Sequence, residues 1–280
     1  MPSRTEQHAM HTEPMPSELI AAMAMVKRAC AKASRDLAQT YPGTAQAIDM
    51  ATSQITSDPR AGLHLAASVG VVQNLLPALV ALSAELENSA QLQSASKSRK
   101  LSRHAAQLRS SHEAIMAALP CAHQLVMNQG TSPQVREQLA KALTCSLSLP
   151  FLGSADATLT PEDALGKLAG LHRALTSAAM ALSHVGETVR ELAPARQDTM
   201  QCDALAMVCR QVTDNDQALG EQANAGQLAH KLLQSIRLLT DATTVFTDYV
   251  VHGLTANRDR HALGLASSLM LATSNSLQTV

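Results

Sequence analysis

The chain has 280 residues, 46% hydrophobic and only 16% charged, with two Phe, two Tyr and no Trp. Its formal charge of −1 provides no global field for nucleic acid or an anionic membrane. The composition excludes collagenous, disulfide-dense and wholly disordered classes, and the length allows one large domain or two small ones.

Residues 1–16 are polar, contain three Pro and lack an apolar segment. They read as a disordered lead-in rather than a secretory signal. Ser17 can cap a helix with Leu19, Met23, Val26, Cys30, Ala33 and Leu37 on one stripe, stopped by Tyr41-Pro42-Gly43. A shorter helix carries Ile48, Ala51 and Ile55. Asp58-Pro59 then places a capping residue before a Pro at the first helical position. Leu65, Val69, Val72, Leu76, Leu79, Ser83 and Leu86 follow at heptad spacing, with Pro77 predicting a kink.

Residues 61–84 hold no Asp, Glu, Lys or Arg and are long enough to cross a membrane. His64, Gln73, Asn74 and Pro77 argue for a buried helix instead, so no membrane span is expected.

Residues 94–103 read as a polar, basic connection. Leu101, Ala105, Leu108, His112, Ile115 and Leu119 then form a stripe that Pro120 bends or ends. A short helix follows Ser132-Pro133. The best boundary is 150–160, where Pro and Gly break the helical phase. Beyond it, Thr160-Pro161-Glu162-Asp163 is a strong helix start. Leu168, Leu171, Leu175, Ala178, Leu182, Val185, Val189 and Leu192 continue at 3–4 spacing until Pro194. Further stripes run through Leu205, Val208 and Val212, then Ala229 to Val250, then Ala262 to Ala272.

Strand signals are nearly absent. The expectation is an all-α protein made of two antiparallel up-and-down bundles of about four helices each. The domains would be 17–149 and 161–280, joined by a linker at 150–160.

Five Cys at 30, 121, 145, 202 and 209 form no C-x-x-C pair, which predicts reduced thiols and a cytoplasmic location. No Glu-x-x-His, H-E-x-x-H, phosphate loop or G-x-S-x-G occurs. No catalytic residue, metal site or cofactor is therefore nominated. His112 and Thr243 are the polar residues that stand out on the stripes. The other His are scattered and read as surface or hydrogen-bonded side chains.

Lys97, Arg99, Lys100, Arg103 and Arg109 fall close together with no acid between them. They form a candidate patch for an acidic partner or anion. No aromatics interleave to stack bases, so no nucleic acid is expected. Arg99-Lys100-Leu101-Ser102 resembles a basophilic kinase site, making Ser102 a candidate phosphosite.

The 233–242 segment, LQSIRLLTDA, looks like a talin-rod helix. Leu175, Ala178, Ala179, Leu182 and Val189 fall where vinculin-binding helices carry a leucine, an alanine pair and later apolar residues, with departures at Ser183, Gly186 and Arg190. Residues 160–280 thus resemble the talin-rod and vinculin/catenin class of bundles. The resemblance implies a non-catalytic adaptor or scaffold that engages protein partners through amphipathic helices, with those five residues as its interaction surface. Leu263, Met270 and Leu271 on the last helix are further candidates. Homo-oligomerisation is compatible with the same faces. The alternatives are a bundle-core ligand- or metal-binding protein or enzyme, and a translocated helical effector.

Overall fold

The computed structural model describes residues 17–57, 59–127, 161–192, 196–218 and 225–252, together with Val135, Glu137, Gln138 and Lys141. The lead-in at 1–16, the boundary at 150–160 and the last helix, with Leu263, Met270 and Leu271, lie outside the described residues.

Every described element is helical: α1 (Ser17–Leu37), α2 (Pro42–Ser57), α3 (Pro59–Gly70), α4 (Leu76–Gln91), α5 (Ala95–Met127), α6 (Pro161–Leu192), α7 (Arg196–Ala218) and α8 (Ala225–Phe246). Three helices begin on Pro, whose fixed φ suits the first turn and whose missing N–H costs nothing there. The amides of Thr40 and Tyr41 fold back onto the Leu37 carbonyl, closing α1 in a tight turn.

Two π-helical turns interrupt the ladders. Val71–Leu75 joins α3 to α4, with the Leu76 amide reaching back to the Val71 carbonyl. Pro77 follows at once. It has no amide to donate and its ring would crowd the Gln73 carbonyl, so a widened turn accommodates the kink that the sequence predicts. Thr247–Val251 extends α8. There the Thr247 hydroxyl donates to the Thr243 carbonyl at 2.7 Å, inserting a side chain into the ladder.

The basic 94–103 segment is not a connection. It forms the first turns of α5, because Ala, Ser, Lys and Arg all tolerate helix and Leu101 is buried in phase with Ala105 and Leu108. Helix α5 also continues through Pro120 to Met127.

Helices α4 to α8 are neighbours in chain order, and α8 returns against α3 and α4 to close the ring. They share one apolar core from Leu63 to Val251. This core does not divide at 150–160: the most extensive helix–helix interface joins α5 to α6 across that boundary. Gly70 permits the closure, since a Cβ there would lie 3.2 Å from Ile236 Cγ2 on α8. Helices α1 and α2 form an outer hairpin with Cys30, Ile48 and Ala51 buried and the Ser34 hydroxyl donating to the Ala45 carbonyl.

The helical stretch Ala66–Gln91 is long and apolar enough to cross a membrane, yet 56% of its most apolar window is buried against the other helices. The structure uses it as a core helix.

Candidate functional site

One group of polar side chains interrupts the apolar core, where α6, α7 and α8 meet. Leu168, Leu171 and Leu175 set the buried stripe of α6, and His172 falls on it four residues after Leu168 and three before Leu175. Asn215 lies three residues beyond Val212 on α7, and Ser235 three beyond Leu232 on α8. Helical periodicity therefore drives all three inside. His172, Asn215 and Ser235 are completely buried.

Buried polar atoms must pair, and these do. His172 Nδ1 lies 2.9 Å from Asp216 Oδ1, and its Nε2 lies 3.0 Å from Ser235 Oγ. Asn215 Nδ2 donates to Ser235 Oγ at 3.1 Å and to Gln234 Oε1 at 3.3 Å. Asn215 Oδ1 accepts from Lys231 Nζ at 3.0 Å and from Gln211 Nε2 at 3.2 Å.

The donor inventory fixes the directions for a neutral His172. An ionised Asp216 only accepts, so Nδ1 carries the proton. Nε2 must then accept, and the Ser235 hydroxyl donates to it. Ser235 Oγ in turn accepts from Asn215. A directed chain runs Asn215 to Ser235 to His172 to Asp216. Its last three members have the order of a Ser–His–Asp array. Ser235 is enclosed, so its hydroxyl cannot meet a substrate. The chain reaches solvent at Asp216, whose side chain is 30% exposed, and at half-buried Lys231. What the arrangement offers chemically is a histidine-held carboxylate, with an ammonium on the neighbouring Asn215.

A second polar contact ties α5 to α6. His104 Nε2 lies 2.8 Å from Thr188 Oγ1. Burial pushes the His104 pKa below the ordinary imidazole value, and its hydrogen bond with Gln107 opposes this only in part.

The residues singled out in the sequence are spread over the bundle. Lys97, Arg99, Lys100, Arg103 and Arg109 are exposed along α5, as is Ser102. Lys100 pairs with Glu191 of α6 at 2.9 Å and Arg109 with Glu87 of α4 at 2.6 Å. The Lys100 hydrogen bond and charge hold the Glu191 carboxyl below its usual pKa. Leu175, Ala178, Ala179, Leu182 and Val189 are fully buried. Their surface is consumed by packing within the chain, and a partner could reach them only if α6 left the bundle.

His112 is half-buried and Thr243 is buried, its hydroxyl unpartnered among the described residues. Cys30, Cys202 and Cys209 are buried and none is in a disulfide, and burial pushes the Cys209 thiol up to about 12. Cys121 and Cys145 lie outside the described side chains. Among the described residues no group of three or more His, Cys, Asp or Glu side chains is placed to hold a metal ion.

Sequence reasoning missed the His172–Asn215–Ser235 group, although a signal was present. Each is a polar residue at the next inward step of an apolar stripe. What the sequence could not supply is that the three steps meet at one level of the bundle.

No family model matches the chain. Class II fumarate hydratases of bacteria are similar to it. That of Chromobacterium violaceum is 28% identical, covering 94% of this chain and 81% of the relative. The Pseudomonas aeruginosa and Ralstonia nicotianae proteins are 31% and 30% identical over 81% and 80% of this chain, which spans 60% of the length of each. The alignment to the C. violaceum protein runs over 377 positions, more than the chain has residues, so that relative carries segments without counterpart here. Among solved structures, the class II fumarase of Schistosoma mansoni superimposes with a TM-score of 0.58 at 16% identity, over 86% of this chain and 77% of that one. This likeness concerns the fold alone.

These similarities correct the adaptor reading. The resemblance to talin-rod and vinculin/catenin bundles, and the non-catalytic scaffold with protein partners drawn from it, give way to similarity with enzymes along most of the chain. The physical reason for the error is that long Ala- and Leu-rich antiparallel helices satisfy the same packing rules in either setting.

Proposed function

We propose that the chain is a hydro-lyase of the fumarate hydratase type, adding water across the carbon–carbon double bond of fumarate or a close unsaturated dicarboxylate. The observation that carries this reading is the similarity to the C. violaceum fumarate hydratase over 94% of the chain. The chemistry of the buried network is compatible with it. Such a hydration calls for a group that takes a proton from water and for positive charge near a carboxylate. A carboxylate, Asp216, and an ammonium, Lys231, stand at the solvent edge of this network.

A cytoplasmic location fits this reading, as do the buried thiols at 30, 202 and 209, none of which is in a disulfide. The partner that fits is a second copy of the chain, for which exposed Met200 and Met207, on one face of α7, offer apolar area. The test is direct. Purified full-length protein is mixed with fumarate, loss of the conjugated double bond is followed by ultraviolet absorbance, and malate is identified by proton NMR. Malate formed catalytically and in proportion to protein concentration supports the reading. No malate beyond the protein-free control overturns it.

A further inference from the structure

We propose that the buried network of His172, Asn215 and Ser235 is a register lock: it fixes where the α6–α7 hairpin sits along α8, a choice that the apolar stripes leave open. Such a lock acts whatever reaction the protein carries out, because it selects one packed arrangement among several that bury the same kind of surface.

The stripes repeat themselves every seven residues. On α6, Leu168, Leu175, Leu182 and Val189 follow at that interval, as do Leu171, Ala178 and Val185. On α7, Cys202 is followed by Cys209 and Leu205 by Val212; on α8, Leu232 is followed by Leu239 and Phe246. All of these side chains are buried. A slide of one heptad, about 10 Å along the helix axis, therefore sets apolar side chain against apolar side chain at these positions. The chain itself does not forbid the slide. Residues 193–195 alone join α6 to α7, so those two helices move together. The links on either side are longer, 128–160 before α6 and 219–224 after α7. Even the shorter of them can reach about 20 Å when extended, more than the slide requires.

The network does not repeat. Four hydrogen bonds cross from the hairpin to α8: His172 with Ser235, Asn215 with Ser235, Asn215 with Gln234, and Lys231 with Asn215. Seven residues either side of Ser235 stand Leu228 and Ala242. A slid hairpin would bring His172 and Asn215 level with one of these apolar residues. An imidazole, an amide and the Ser235 hydroxyl would then be buried without partners, which disfavours the slid state. Other close fits act between other helices. Gly70 seats α8 against α3, and half-buried His104 ties α5 to Thr188 of α6. A Cβ on Gly186 would lie 3.4 Å from Leu205 Cδ2, an ordinary contact within the hairpin. A single buried polar side chain sets the register of coiled coils by the same physics, at a cost in stability rather than a gain.

The test reads the register in the full-length protein. Nitroxide labels are attached through p-acetylphenylalanine at position 207 of α7 and position 249 in the π turn that extends α8, where Met207 and Tyr249 are exposed. This chemistry leaves the native thiols untouched. The labelled chain is diluted into excess unlabelled chain, so that pulsed electron paramagnetic resonance reports distances within one molecule. The wild-type network should give one narrow distance distribution. The triple variant His172→Leu, Asn215→Leu, Ser235→Ala should stay helical by circular dichroism, because the stripes are intact. Its distribution should broaden or split, with components displaced by up to about 10 Å. A helical triple variant with the wild-type distribution overturns the proposal, as would two distances in the wild-type protein. Should the triple variant lose its helical signal, Ser235→Ala decides, since it removes one hydroxyl and with it the contacts to His172 and Asn215. A broadened distribution in that variant supports the lock, and the wild-type distribution overturns it.

Discussion

Asn215 shows how a buried polar side chain is made tolerable. Its amide makes two donations and accepts twice, which is its full capacity. Asn215→Ala would leave the enclosed Ser235 and the Lys231 ammonium each short of a partner. The expected cost is about 1–3 kcal/mol, read as a lower urea midpoint at unchanged m. His104 behaves differently, because burial disfavours its charged form and lowers its pKa in the folded protein. The unfolded chain therefore binds the extra proton more readily. The stabilisation is fully present above about pH 6.5 and is lost as pH falls from there toward the lowered folded value. Thermal melts from pH 7.5 to 5 should decline, and His104→Gln should flatten that slope.

Helix α6 shows what periodicity determines and what it leaves open. Leu168, Leu171, Leu175, Leu182, Val185 and Val189 are all buried, as their spacing predicts. Leu182→Asp should destabilise by more than about 3 kcal/mol, since Leu→Ala alone costs about 2–5 in a core and the carboxylate adds its own desolvation. An unchanged melting temperature would mean that this stripe faces outward. His172 lies on the same stripe but escaped notice there, because an isolated imidazole at a seam position carries no sign of its partners. The π turn at Val71–Leu75 was half visible. Pro77 announced a distortion, whereas the widened ladder that absorbs it depends on α4 still having to bury Leu76, Leu79 and Leu82.

The helices close into a ring whose core is shared between the two halves of the chain. Fragments 17–149 and 161–280 test the division expected from the sequence. The shared α5–α6 interface predicts that each alone melts below the intact chain, and that mixing them restores cooperative unfolding by circular dichroism. Independent, full-strength melting of 161–280 would instead establish it as a separate domain.

By itself the sequence determined the helical class, most helix starts and the buried faces, because Pro, capping residues and the 3.6-residue period act within a few turns of chain. It did not determine function. Adaptor bundles and hydratase bundles obey the same local rules, and only similarity over the whole length separates them. Tertiary structure alone decided that Leu175, Ala178, Ala179, Leu182 and Val189 are core, and that His172, Asn215, Asp216, Lys231 and Ser235 converge. Those contacts join residues up to 63 positions apart. Their register depends on how three helices pack against one another, which no local pattern encodes.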